Sequence, residues 1–507
     1  MRITARWVAV SAVLIALLAS VGVSFVTAQA PTVTVSSVAV LDPVRLGAFE
    51  NAARPGTVAD DHGINIGGLG SGLWHDPTDP PTVFWTITDR GPNGQIPVGS
   101  ENRRTFPVPD FSPAIVKVEV QGQKLVPVKT LVLTGTSGKP ITGLSNRDGV
   151  DEVPYDYAAN QKLNYNQSGL DTEDLVHTTA GEFWTVDEYS PSLVRIDATG
   201  KVLKRYVPVG VQLPSADYTV VEALPAILAK RTANRGFEGL TISPDGKTLY
   251  MAVQSPLRHP NREIGDASRN TRILAFDIAS EKVTAEYVYQ FQPYTEFNAP
   301  RASEMKISAL AAIDATSLLV DERTDPVAKL YRIDLTKATN VLGTKWDDPA
   351  TSPALEALNE ANPGGITPLP KYFVADLSKF SEVEAKVEGL AILDPSTIAV
   401  LNDNDFSFSA TPDAQGKFSD LGVRQALVTL KVNGGFSGVA APFAQQPTPA
   451  ATATSAATKA PAATPAPPKT GSAGILDQTT GRVSLAMGLV GLAVLFGVVL
   501  VGRSRRS

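Results

Sequence analysis

The strongest constraint on this chain is a short unit that recurs along it. An apolar strand opens on an acid and a glycine, turns, and is followed by a second strand ending in acids or amides. Its clearest form is Phe237-Glu238-Gly239-Leu240-Thr241-Ile242, the turn Ser243-Pro244-Asp245-Gly246, and a strand running to Val253-Gln254. Proline presets φ and glycine supplies the positive φ that a tight hairpin turn needs. Val387-Glu388-Gly389-Leu390, followed by a strand ending in Asn402-Asp403, repeats the unit. Looser copies begin at Thr172-Glu173-Asp174-Leu175 and Ile307-Ser308-Ala309-Leu310, and close on Asp187-Glu188 and Asp321-Glu322. A fifth, Gly70-Ser71-Gly72-Leu73-Trp74, has Gly-Ser where the copies at Glu173, Glu238 and Glu388 carry acids and runs on to Asp89. Five copies at irregular spacing define a repeat architecture.

Most copies extend further. After Gln254 come strands at 271–278 and 282–291; after Glu188, strands at 192–197 and 201–207. With 40 Gly and 38 Pro in 507 residues, the composition suits many short strands joined by turns. These features predict an all-β fold: a β-propeller of five to six four-stranded blades over residues 33–435. One sheet cannot cover both its faces, whereas a ring of sheets can. Ring closure is expected to pair Ser36-Ser37-Val38-Ala39-Val40 with the last strand, around Ala426–Val432. A sixth blade would be drawn from 135–171 and the N-terminal strands, and 221–230 reads as an inter-blade helix.

The two ends have their own signatures. Arg2 and Arg6 precede an apolar run to Val26 and the small-residue site Val26-Thr27-Ala28, which reads as a signal peptide over 1–28. An uncleaved anchor is the other reading. Residues 443–482 form an Ala/Thr/Pro-rich stalk expected to be disordered, since it cannot bury enough apolar area to offset its ordering entropy. Residues 483–502 are apolar and long enough to span a bilayer, and Arg503, Arg505 and Arg506 in the tail 503–507 place that end in the cytoplasm. Pro467-Pro468-Lys469-Thr470-Gly471 resembles the sorting signal of Gram-positive surface proteins, with Pro467 in the leucine position. A single-span membrane anchor and a sortase-processed, cell-wall-linked protein are both open. Either way the body is exported, surface-held and read as a monomer.

Composition also excludes chemistry. A net charge of −6 argues against nucleic-acid binding by counterion release. With no cysteine, thiol catalysis, thiolate metal sites and disulfides are ruled out, and four scattered histidines argue against a multi-His zinc site. Gly246-Lys247-Thr248 lacks the upstream glycine of a phosphate loop, and Gly70-Ser71-Gly72 has the wrong offsets for a nucleophile elbow. The run Asn146–Glu152 lacks EF-hand spacing and reads as an acidic surface loop.

Repeat-equivalent residues at the start of inner strands converge on one mouth of a propeller's channel. Glu173, Glu238 and Glu388 open such strands, with Glu304 three residues ahead of Ile307. Asp89, Asp187, Glu188, Gln254, Asp321, Glu322, Asn402 and Asp403 end the next strands. An all-oxygen set suits a hard cation such as Ca²⁺. Glu173, Glu238 and Glu388 are the candidate catalytic acids, and Glu304, Asp187, Asp321, Asn402 and Asp403 the candidate cation ligands. The alternative is that each glutamate accepts N–H bonds from the neighbouring blade and locks the ring.

Thr88-Asp89-Arg90-Gly91-Pro92-Asn93-Gly94, Gly169-Leu170-Asp171-Thr172-Glu173-Asp174, Asn234-Arg235-Gly236-Phe237-Glu238-Gly239-Leu240 and Lys386-Val387-Glu388-Gly389-Leu390 resemble the phytase-like esterase family of secreted β-propellers. The resemblance implies hydrolysis of phosphoesters or related small-molecule esters. Such hydrolysis calls for positive charge facing the substrate. Arg90 and Arg235, inside the matched stretches, are the candidate substrate-binding residues. A non-catalytic propeller binding a ligand, glycan or partner protein at the same mouth is the competing reading.

Overall fold

A computed structural model describes residues 32–436 of the chain. The expected signal peptide, stalk, apolar span and basic tail lie outside the described residues. Among the described residues no helix is long and apolar enough to cross a membrane.

The strands form five blades, each running from an inner strand to an outer one. Blade 1 comprises Gly72–Trp74, Val83–Ile87, Ala114–Gln121 and Lys124–Val132. Blade 2 runs Thr172–His177, Phe183–Asp187, Ser192–Ile196 and Val202–Pro208. Blade 3 is Phe237–Ile242, Thr248–Val253, Asn270–Asp277 and Lys282–Gln290. Blade 4 is Lys306–Ala312, Ser317–Arg323, Ala328–Asp334 and Lys371–Asp376. Blade 5 takes Val387–Asp394, Thr397–Asn402 and Ala426–Val432 from the C-terminal part and borrows Val33–Leu41 as its outer strand. The borrowed strand pairs antiparallel, Val33 opposite Val432 and Val38 opposite Val428, as expected for ring closure. The inner strands complete the circle: each packs against the inner strand of the blade before and after it, and blade 5 returns to blade 1.

Alternate residues of one strand point to opposite faces, and in this ring both faces are covered by neighbouring blades. Leu318 and Val320 enter the core between blades 3 and 4, whereas Leu319 enters the core between blades 4 and 5. Likewise Leu274 and Phe276 face blade 2 while Ile273 and Ala275 face blade 4. Both phases of these strands are therefore apolar. Each fully buried Val, Leu or Phe contributes about 1.5–3 kcal/mol, so the interfaces between blades hold the ring.

Three expectations are corrected. Residues 135–171 supply no sixth blade: their one strand, Pro154–Tyr155, runs parallel to Glu101–Thr105, which pairs with Gly94–Val98 in a small three-stranded sheet. Instead of a helix over 221–230, Thr219–Leu224 adds in parallel to the outer edge of blade 2, and only Ala226–Lys230 makes a short 3₁₀ turn. Pro225 lies between the two and would break a helix spanning both. Nor do the inner strands line an open channel along their whole length. A Cβ on Gly239 would lie 3.0 Å from the Ala309 backbone, and one on Gly389 would lie 2.9 Å from Leu73 Cβ. At that level Asp174 of blade 2 and Ala309 of blade 4 carry the side chains, and the close approach of their backbones leaves room only for glycine at Gly72 and Gly239.

Candidate functional site

The acid ahead of that glycine is aimed by a β-bulge. In blade 3, Phe237 faces Val253 but Gly239 faces Ala252, so Glu238 has no partner across the ladder. Blade 5 does the same at Glu388, between the pairs Val387–Asn402 and Gly389–Leu401, and blade 4 at Ser308, between Ile307–Glu322 and Ala309–Asp321. In blade 2 the register also slips between Thr172–Asp187 and Leu175–Thr185, around Glu173. A bulge removes its extra residue from strict alternation and re-aims the side chain. Serines, Ser71 and Ser308, hold the equivalent positions of blades 1 and 4.

Glu173, Glu238 and Glu388 consequently meet although they come from three blades. One carboxyl oxygen of each lies within 4.8 Å of the others, and the same holds for Asp171, Glu173 and Glu188. Both trios line a cavity of about 20 Å³, together with Asp89, Asp403, Asp405, Arg90, Lys386, Asn234 and Gln254. That volume takes one or two water-sized occupants. Gln254 Nε2 donates to Glu188 Oε1 at 2.8 Å and to Glu238 Oε2 at 2.7 Å. Gln254 Oε1, Asn234 Oδ1 and Asp171 Oδ2 accept no hydrogen bond from the described residues. Glu173 is 6% exposed, and among the described residues its carboxyl has no hydrogen-bond or ion-pair partner.

Eight carboxyls line this cavity against two cations, Arg90 and Lys386. Burial pushes the Glu173 carboxyl well above the usual range, and Glu238, Glu188 and Asp171 add to the push. Burial and the same crowding raise Glu188. Glu388 is raised to about 7 by burial, against the pull of Lys386 and Arg323, and Asp171 to about 6 by burial, against Arg90. Burial acts most strongly on Asp403, but the Lys386 ammonium and the hydrogen bonds from Asp405 together outweigh it and hold that carboxyl below its ordinary value. The site is starved of positive charge.

Of the residues expected at the mouth, Glu173, Glu238, Glu388, Asp89, Glu188, Gln254, Arg90 and Asp403 line the cavity. Arg90 Nη1 lies 3.3 Å from Asp171 Oδ2 and 3.5 Å from Glu152 Oε2. The other expected residues are held elsewhere. Arg235 is buried against Ser255 Oγ (2.9 Å) and the Ser303 carbonyl (2.7 Å). Asp187 accepts from Ser192 Oγ and the Asp171 N–H, both at 2.8 Å, and pairs with Arg205. Asn402 ties the strand Ala426–Val432 into blade 5, accepting from the Ala426 N–H at 2.8 Å. Asp321 is buried with neither oxygen hydrogen-bonded to a described residue, and burial raises its carboxyl to about 8. Glu304 sits on a 3₁₀ turn ahead of the blade 4 inner strand, paired with Arg301 Nε at 2.7 Å.

Asp171, Lys386, Asn234 and Asp405 line the cavity although the repeat pattern does not mark them. One signal was present: Asp171 and Lys386 each stand two residues ahead of an inner-strand glutamate, a spacing that shares a face on an extended chain. The loop Asn146–Glu152 is also more than an acidic surface loop. Asn146 is buried and donates to the Gly169 carbonyl at 2.7 Å, Asp151 pairs with Arg231, and Glu152 accepts from Arg104 Nε at 2.9 Å. The ring-lock role falls to Asp174, which accepts from the N–H groups of Leu175 (2.9 Å) in its own blade and Leu240 (3.0 Å) in blade 3.

Fold and site together define a five-bladed β-propeller with a buried, carboxyl-lined mouth. The chain belongs to the phytase-like family, described as "Esterase-like activity of phytase", whose model matches residues 64–406 and so spans every residue lining the cavity. A relative from Arthroderma benhamiae, named an uncharacterized secreted protein, is 28% identical over 295 residues, covering 50% of this chain and 58% of that protein. The chain thus spans less than two thirds of that relative's length. Among solved structures, a luciferin-regenerating enzyme is 12% identical with a TM-score of 0.32, covering 74% of this chain and 96% of its own. A streptogramin B lyase is 12% identical with a TM-score of 0.27, covering 73% and 96%.

Proposed function

We propose that this protein is an exported hydrolase of phosphoesters or related small-molecule esters, with a hard divalent cation, Ca²⁺, at the propeller mouth. Family membership supports ester hydrolysis at the level of reaction class. The observation that carries the cation is the meeting of Glu173, Glu238 and Glu388 from three blades, with Glu173 buried and partnerless among the described residues. A buried charge persists only when paired, and an all-oxygen donor set fits Ca²⁺. When bound, such an ion supplies charge neutralisation and a lowered pKa for water. The chain's own part is to hold the donors: bulges aim the glutamates, Gln254 spaces Glu188 from Glu238, and Arg90 faces Asp171. A cavity of about 20 Å³ excludes an organic ester, so the ester docks above the mouth.

Export rests on the N-terminal signal and accords with the name of the Arthroderma relative. Surface retention through 483–502, as a membrane anchor or after sortase processing at Pro467–Gly471, belongs to the same proposal.

The test is hydrolysis of p-nitrophenyl phosphate, bis-p-nitrophenyl phosphate, phytate and p-nitrophenyl acetate by the purified protein, with EDTA or with Ca²⁺. Turnover on at least one substrate, abolished by EDTA and restored by Ca²⁺, is expected. No turnover on any of them would replace the hydrolase with a propeller that binds its ligand at the same mouth.

A further inference from the structure

We infer that the mouth holds two divalent cations, not one, and that Glu173 is the carboxylate they share. This deepens the proposed function and rests on its placement of a cation at the mouth.

The two trios of converging oxygens, Glu173–Glu238–Glu388 and Asp171–Glu173–Glu188, have only Glu173 in common. An ionised carboxylate has two oxygens, each with free lone pairs, so it can give one oxygen to each of two ions. Glu173 is the one lining glutamate that no described protein group engages, which leaves both of its oxygens for ligation. The other members of each trio are already positioned. Gln254 Nε2 holds Glu188 and Glu238, one from each trio, at 2.8 and 2.7 Å, and so sets the separation of the two sites.

Neutral donors are present as well. Gln254 Oε1 and Asn234 Oδ1 line the cavity, are buried and accept no hydrogen bond from the described residues. A buried amide oxygen without a partner has lost its hydration with nothing in return, and amide oxygens are ordinary ligands of Ca²⁺. The eight lining carboxyls outnumber the cations that meet them, Arg90 and Lys386 in the lining, the Arg323 guanidinium paired with Glu388, and Lys306 and Arg235 behind Glu238, so the site has negative charge left for added cations. Two-cation hydrolytic sites, in general, clamp both the attacking and the leaving oxygen of a displacement.

The test is equilibrium dialysis of the full-length protein, stripped with EDTA, against radiolabelled Ca²⁺, with hydrolysis assayed on the same samples. Two Ca²⁺ per chain are expected for wild type, and one for each of Asp171→Asn and Glu188→Gln. Glu173→Gln is expected to lose both ions or to weaken both at least tenfold. Two variants of the second site are used because Asp171 also faces Arg90; a variant that fails to melt cooperatively is set aside, and the wild-type stoichiometry then decides. One Ca²⁺ per chain in wild type, with hydrolysis intact, would overturn the pair and leave the hydrolase standing. Two Ca²⁺ per chain with no hydrolysis of any ester would uphold the pair and overturn the hydrolase. No bound Ca²⁺ would overturn the pair.

Discussion

Lys386 and Asp403 are joined twice: the Asp403 N–H donates to the Lys386 carbonyl at 2.8 Å, and the Lys386 ammonium donates to Asp403 Oδ2 at 3.0 Å. Lys386 precedes the inner strand of blade 5 and Asp403 follows its second strand, so the double link closes the mouth end of that hairpin. Both side chains are buried. Removing one member of a buried pair leaves an uncompensated charge and typically costs about 3–5 kcal/mol.

Lys386→Met is therefore expected to destabilise the fold by about 3–5 kcal/mol in denaturant titrations. A loss below about 1 kcal/mol, the range of exposed pairs, would show that the ammonium is not needed to offset Asp403 and Asp405.

Stability should fall as pH rises when cations are absent. Glu388 is raised from 4.5 to about 7 and Asp171 from 3.8 to about 6, chiefly by burial. An acid whose pKa is higher folded than unfolded binds more protons in the native state between the two values, so the stability it contributes is present at low pH and lost as pH rises. In EDTA the melting temperature should drop between about pH 4.5 and 7, where these two acids ionise. Ca²⁺ binds the ionised carboxylates and should reverse the trend. A melting temperature in EDTA that climbs steadily from pH 5 to 8 would contradict the picture.

Asp321 and Glu304 are acids that the repeat pattern marks as ligands and the structure keeps from the cavity. Asp321→Asn and Glu304→Gln should leave Ca²⁺ stoichiometry unchanged in dialysis, in contrast to Glu173→Gln. For Asp321, raised from 3.8 to about 8 by burial, the neutral amide should also remove a loss of stability seen in the parent as pH rises from about 4 to about 8. Loss of a bound ion in either variant would move the site outward from the inner strands.

Much of the architecture was legible because a propeller repeats itself. Five Glu-Gly-type strand openings announced five blades, and the pairing of Val33–Leu41 with Ala426–Val432 followed from a ring that must close. The convergence of Glu173, Glu238 and Glu388 was legible for the same reason. Equivalent positions in a ring share one environment. The bulges were not legible. Nothing in Phe237-Glu238-Gly239 says that the ladder skips a residue there; the skip shows only in the pairing of the two strands. Also hidden were the partners reached through loops, such as Asn146 with Gly169 and Asp151 with Arg231, because such contacts depend on loop paths rather than on periodicity.

The sequence by itself determined an all-β ring, its strand order, its closure and an acidic mouth, since each follows from short apolar runs set off by turns and from their repetition. Which of the acids at the strand ends face the mouth was decided by tertiary structure alone. Asp171 and Glu188 reach the cavity while neighbouring Asp187 turns to Arg205, although Asp187 and Glu188 are adjacent in the chain. Successive side chains leave a strand in opposite directions, and only the packing of one blade against the next settles which direction leads to the cavity and which to a buried arginine.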